Sequence, residues 1–412
     1  MNRYEIQSFI KEHGVEGFSQ AMDALIEGHK LPNGTIQRME PHQFSLRELW
    51  EGLVGPVDST FGRGRWREAA GGGALEPTGF PTATEKLLST VTIRAYESRM
   101  KIADRLVPNS TSPNTLTERM VGFTNPEGSK SIMPGEEYPR VGIGEKYVTF
   151  EEALHNKKEG VEVAVTEEVI RFDQTRQIIT RASGVGMSHA TERERRTVRA
   201  CLGIGSDVGT TLNGVYYPNG VDTPLYTATQ NNLRTNAAPI YNMPGQTADS
   251  VFSNYTDLAE AYEVHAANIR DDRLVGVTRP IVWSPNVLLG PIALGTTFAN
   301  TLQATGIVTM PNLGTSSTPE VRTNAPNPLG VIFGGNVPTP YVSPYVDEVS
   351  TTQWALFDSE QTFVRINIFP FETFRAPVGY GWNSDIVFAL RIREWSRIVA
   401  LDYKHTQKST GA

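Results

Sequence analysis

Hydrophobic and polar positions change rhythm several times along this chain. Over residues 1 to 30, Ile6, Phe9, Ile10, Phe18, Met22, Leu25 and Ile26 recur at helical spacing before Leu31-Pro32-Asn33-Gly34, a strong turn sequence. A short amphipathic arm is predicted there. Ser45 to Trp50 predicts a second short helix, with Ser45 as N-cap and Glu48 completing a capping box. The Gly- and Pro-rich stretch Gly55 to Pro81 predicts an extended linker between this arm and a body that starts near residue 83. A helix over about 85–95 follows, then a strand over Lys101 to Val107 and a turn cluster from Pro108 to Asn114.

From Gly135 to Val165 the rhythm becomes alternation. Tyr147, Thr149 and Glu151 share one face of a predicted strand, and Val161, Val163 and Val165 recur at period two in a second. With the polar connection Glu151 to Gly160 between them, the two strands predict an extended hairpin, which needs a neighbour to bury it. The pattern then turns helical. Thr166 is placed to cap a helix carrying Ile170, Ile178, Ile179, Ala182, Val185, Val198 and Leu202, and Gly203 and Gly205 stop it. A helix over 166–202 would be roughly 55 Å long at 1.5 Å per residue, more than a compact domain needs. Gly184 and Gly186 mark a bend or a close helix contact within it.

The remainder predicts an α/β module. A helix is expected from about Thr256 to Asn268, a strand over Arg279 to Ser284, and a helix or turn over Pro285 to Gly295. Long closing strands are expected over Thr362 to Phe369 and Asp385 to Arg393.

Charge and composition narrow what such a chain does. Apolar residues make up 39% and charged residues 20%, which suits a folded protein, and the net charge of −7 argues against a global basic surface for nucleic-acid phosphates. A lone cysteine, Cys201, excludes an intrachain disulfide and a Cys-type zinc cluster. No apolar run is long enough to span a membrane, and the charged start is unlike a signal peptide, so the product is expected in the cytoplasm.

Catalytic chemistry finds no template. Ser188 and His189 are helical neighbours about 100° apart without a nucleophile elbow, the seven histidines never reach H-x-x-x-H spacing, and Gly203 to Gly209 follows a helix where a phosphate loop would follow a strand. No cofactor, metal or enzymatic activity is expected. A β-rich glycoside-binding or hydrolytic enzyme would need paired carboxylates across a cleft, which the sequence does not mark. The charged residues instead suggest contact surfaces: Lys146, Glu151, Glu152, Lys157 and Lys158 on the hairpin, and Arg193, Arg195, Arg196 and Arg199 on the helix. A solvated face is the simpler reading of both sets, and docking onto a neighbouring subunit is the sharper one.

Certain segments carry a resemblance. Met133-Pro-Gly-Glu-Glu-Tyr-Pro139 enters the hairpin, Lys157 to Val165 leaves it, Thr166-Glu-Glu-Val-Ile170 opens the helix, Trp283-Ser-Pro285 makes a strand-to-helix step, and Asp385 to Asp402 closes the fold. In that order they resemble the HK97-type major capsid protein family of tailed phages over roughly residues 83–405.

The resemblance implies an α+β HK97-like capsid fold: an N-terminal arm and linker over 1–82, a peripheral domain with spine helix over 83–134, 164–221 and 371–412, an extended loop over 135–163, and an axial domain over 222–370. It implies a major capsid subunit that self-assembles into hexamers and pentamers of an icosahedral head enclosing DNA, made in the host cytoplasm and found in the virion. Itself, a portal protein, scaffolding or decoration proteins and weakly held packaged DNA are the implied partners, and no membrane is. An encapsulin-like nanocompartment shell shares the fold and is the alternative. The first 30 residues are too short for the long scaffolding segment that some members remove, and no crosslinking residues can be carried over.

Overall fold

The computed structural model describes Ser8 and residues 29–30, 36–37, 45–53, 79–99, 102–111, 157–172, 177–203, 226, 251–268, 270–271, 279–280, 283–302, 306–309, 323–326, 336–375, 386–400, 405–409 and 411. Most of the expected arm and linker, and the hairpin up to residue 156, lie outside these residues. The architecture is α+β. The chain divides into two compact units, one formed by Met1–Lys101, Lys158–Arg193 and Phe369–Trp395, the other by Ile102–Lys157, Glu194–Ile368 and Ser396–Ala412.

In the first unit, helix α1 (Leu46–Leu53) starts directly after Ser45, and α2 (Gly79–Arg99) is twice the length the sequence predicted. Residues Gly79 to Pro81, read as the end of the linker, form its first turn, where proline's fixed φ and missing N–H cost nothing. Ala83, Leu87, Val91 and Ala95, with Leu88 and Thr92 beside them, form its buried stripe at i, i+4 spacing. Strand β4 (Lys157–Thr166) runs directly into α4 (Glu167–Phe172), and α5 (Gln177–Cys201) follows. Of the helix expected over 166–202, these two pieces are helical as predicted, and 173–176 lie outside the described residues.

One apolar core unites these pieces. Leu46, Leu49 and Trp50 of α1, Leu87, Leu88 and Val91 of α2, Val165, Ile170, Ile178, Ile179 and Ala182, with Phe388 and Leu390 from strand β13 (Ile386–Ala400), bury together. The two central glycines of α5 play different parts. A Cβ on Gly186 would collide with the Thr92 carbonyl oxygen and sit 3.1 Å from the Ala95 Cβ, whereas a Cβ on Gly184 meets nothing within 4 Å. Gly186 is therefore the close α2–α5 contact that the pattern allowed.

In the second unit, the segment 101–107 expected as a strand holds the short helix α3 (Ala103–Leu106). Buried Ala103, Leu106 and Val107 suit a helical turn as well as a strand, and seven residues were too few to separate the two periods. Strand β7 (Val287–Gly290) occupies ground expected to be helix or turn, and β10 (Thr339–Val342), β11 (Trp354–Phe357) and β14 (Thr406–Ser409) complete a four-stranded sheet in the order β10-β7-β11-β14. Its first pair is parallel and the other two are antiparallel. Both faces are covered. Val287, Leu289, Ala355 and Phe357 join Val198, Cys201, Leu202 and Phe363 in one core, while Leu288, Trp354 and Leu356 join Leu258 and Ala261 of α6 (Tyr255–Asn268) and Phe298 of α7 (Gly295–Leu302) in another. Helix α6 opens with a reciprocal cap: Asn254 Oδ1 accepts from the Thr256 N–H at 2.7 Å, and Asp257 Oδ2 accepts from the Asn254 N–H at 2.9 Å.

The expected closing strands are present and longer than predicted: β12 (Phe363–Arg375) and β13 form the centre of a sheet ordered β3-β12-β13-β4, with β3 (Asn109–Thr111) parallel to β12. Gly203, at φ +67°, ends α5 as the sequence predicted.

Gly186→Ala is expected to lose about 1–3 kcal/mol through overpacking against α2, whereas Gly184→Ala is expected to gain up to about 1 kcal/mol from helix propensity. Denaturant unfolding of the two variants beside the parent chain checks both signs.

Candidate subunit interface

Helix α5 carries the arginines that the sequence offered as contacts, and its period sorts them. Ala182, His189, Ala190, Arg193, Thr197, Ala200 and Cys201 are buried, a stripe that advances by three or four residues. Arg193 belongs to this stripe and Arg195, Arg196 and Arg199 do not. The four arginines thus do not share one outward face. Ser188 is exposed beside buried His189, so these neighbours point apart.

Arg193 is enclosed within the first unit. Its Nη1 donates to Glu394 Oε1 at 2.9 Å and to the Tyr96 hydroxyl at 2.6 Å, and that hydroxyl donates to Glu394 Oε2 at 3.3 Å. His189 Nε2 stands 3.2 Å from Glu394 Oε2, an ion-pair distance without hydrogen-bond alignment. Phe371 stacks on Tyr96 with ring centroids 3.8 Å apart, closing the cluster with apolar surface. A charge held this way is committed to its own subunit. The residue that anchors it, Glu394, was missed by sequence reasoning, although a signal existed: Phe388, Leu390, Ile392 and Glu394 are the inward set of β13 at period two. A carboxylate in such a set calls for a buried cation.

Arg195 and Arg196 behave differently. Arg195 Nε donates to Glu348 Oε2 at 2.9 Å, both side chains being well exposed, and Arg196 Nη2 donates to Ser396 Oγ at 3.3 Å. Arg199 is half-buried. On the strand leaving the hairpin, Lys158 is exposed, and Lys157 is the first residue of β4. Lys146, Glu151 and Glu152 lie outside the described residues.

A second buried arginine, Arg365 on β12, donates to Asp104 Oδ1 at 3.2 Å and also bonds the Thr197 hydroxyl. Near it, the end of α5 is capped from afar: the Tyr226 hydroxyl donates to the Cys201 carbonyl at 2.7 Å and pairs with the Thr406 hydroxyl, and Lys408 Nζ donates to the Leu202 carbonyl at 3.0 Å. Burial pushes the Cys201 thiol far up, with the Arg365 charge opposing only in part, and burial likewise raises the Tyr226 phenol. Cys201 is therefore an inert packing residue. For Lys408 burial works in the other direction and lowers the ammonium to about 8. Among the described residues, no group of three or more His, Cys, Asp or Glu side chains could hold a metal ion, and no helix is long and apolar enough to cross a membrane.

Glu394→Gln is expected to cost about 3–5 kcal/mol in unfolding free energy, because it strands a buried guanidinium, whereas Arg195→Ala is expected to cost less than about 1 kcal/mol. Lys408 makes the stability depend on pH. With its folded value near 8 and its unfolded value near 10.5, the unfolded chain binds more protons between these limits, so stability rises with pH across that window. Lys408→Met should remove that rise, worth up to about 3 kcal/mol, in unfolding curves collected from pH 7.5 to 10.5.

No curated protein matches the chain in sequence. Among solved structures, the capsid of Myoviridae phage XM1 aligns at 8% identity over 74% of this chain and 89% of its own, with a TM-score of 0.43. A chain of Mycobacterium phage Cain aligns at 15% identity over 73% and 83%, and the encapsulin complex from Synechococcus elongatus at 13% over 76% and 88%, each with a TM-score of 0.36. The model of a family described as phage capsid protein matches residues 153–408, more than half of the sequence. This chain belongs to the phage capsid protein family.

Proposed function

We propose that this chain is the major capsid subunit of a tailed phage, that it has the HK97-like capsid fold, and that identical copies close into hexamers and pentamers of an icosahedral head around DNA. The family match over residues 153–408 carries the reading. The long helix α5 and the charges of its outer face support it. In this reading residues 135–163 form the extended loop and 222–370 the axial domain. Exposed Lys158, with half-buried Arg195, Arg196 and Arg199, are, among the described residues, the members of the predicted contact set that reach the surface. Arg193 serves by holding its own subunit together.

Such a subunit has its place in the virion, beside a portal protein and scaffolding or decoration proteins, and is assembled in the host cytoplasm. Its contact with packaged DNA is weak and non-specific, in keeping with a net charge of −7.

Expression of the chain with its neighbouring head genes, followed by negative-stain microscopy and light scattering, is expected to give particles of uniform diameter that protect DNA from nuclease. Particles that hold a protein cargo and no nucleic acid would favour the encapsulin-like shell. A chain that stays monomeric at high concentration, with portal and scaffolding partners present, would overturn both.

A further inference from the structure

The second unit exposes apolar side chains where strands β7 and β10 end and β11 begins. Strands β7 and β10 are parallel, with Val342 opposite Gly290, and run out into Pro291-Ile292 and Ser343-Pro344. Strand β11 is antiparallel to β7, so the residues before Trp354 lie at the same end. Ile292 is 55% exposed and Val349 40%, and Ala293 and Pro344 between them are exposed as well. Backbone and side-chain bonds hold this surface rigid. The Ile292 N–H donates to Asp347 Oδ2 at 2.9 Å, the Val346 carbonyl accepts from the Val349 N–H at 2.9 Å, and the Ser343 hydroxyl caps α8 (Pro344–Asp347). Its rim carries both signs of charge, from the exposed Arg195–Glu348 pair and Asp347.

We propose that Ile292, Ala293, Pro344 and Val349 form the centre of a contact with a second copy of this chain. The proposal rests on the shell reading above and adds which surface makes the contact. An apolar centre inside a polar rim is the usual anatomy of a specific interface. A rim that offers one cation beside acids suits an identical partner related by rotation, since Arg195 of one copy can meet Glu348 or Asp347 of the next without any new sequence. The geometry is also economical in entropy: a strand-end surface fixed by α8 and the Asp347 bond needs little ordering on contact. A partner of uniform charge would leave one sign of this rim unmatched.

The test compares the parent chain, the double variant Ile292→Asp/Val349→Asp and the control Val337→Asp. Val337 is also exposed but precedes β10, so it lies at the opposite end of the same strands. Sedimentation velocity under assembly conditions should show at least ten-fold fewer assembled copies for the double variant and parent-like assembly for the control. Circular dichroism melts of the dilute, unassembled subunit should coincide for all three. Equal assembly by all three chains would overturn the proposal and leave the shell reading intact. A lowered melt of the dilute double variant would overturn it too, because the surface would then be covered by the chain's own residues. Failure of the parent chain itself to assemble, with its partners supplied, would instead remove the shell reading.

Discussion

A carboxylate on the inward face of a strand has to be answered by a cation, and the first unit is arranged around that answer. Glu394 fixes Arg193, and through it the rotation and height of α5 against β13 and α2. Apolar contacts alone would do this poorly. Ala182, Gly186 and Ala190 repeat small residues every four positions, so a slide by one turn would still bring a small residue under α2. The directional bonds among Arg193, Tyr96 and Glu394 exist in one register only. Buried ion pairs add little net stability compared with apolar packing, so specificity of register is the better account of this one.

The second unit solves the same problem with backbone bonds. The carbonyl of His405 accepts from three donors: the Asp358 N–H, the Trp283 indole and the Thr362 hydroxyl, each at 3.0 Å. Trp283 is itself held by His265, stacked at 3.8 Å. A single carbonyl thus ties strand β14 to α6, to β11 and to the turn before β12.

These two solutions explain what was legible in the sequence. The long strands β12 and β13, the helix at 255–268 and the stop at Gly203 have strong local signals, and the structure has them all. Strand β7 was hidden because Val287-Leu288-Leu289 is buried on both faces and carries no alternation. Among the candidate contacts, position in the helical period separates Arg193 from Arg195, Arg196 and Arg199, but charge alone does not. Its partner is 201 residues away in sequence, and only tertiary structure brings a tyrosine, a histidine and a glutamate to one guanidinium.

The order of segments along the chain has a consequence for its synthesis. The first unit needs residues up to Trp395, and the second needs β14, whose last residue is Ser409. A ribosome that has made only the first 360 residues holds neither a closed first core nor a complete second sheet. Folding of both units therefore waits until residues 395 and 409 have been made, at about 5–20 residues per second. Until those residues are made, nascent chains growing side by side on one messenger present no finished surface to each other.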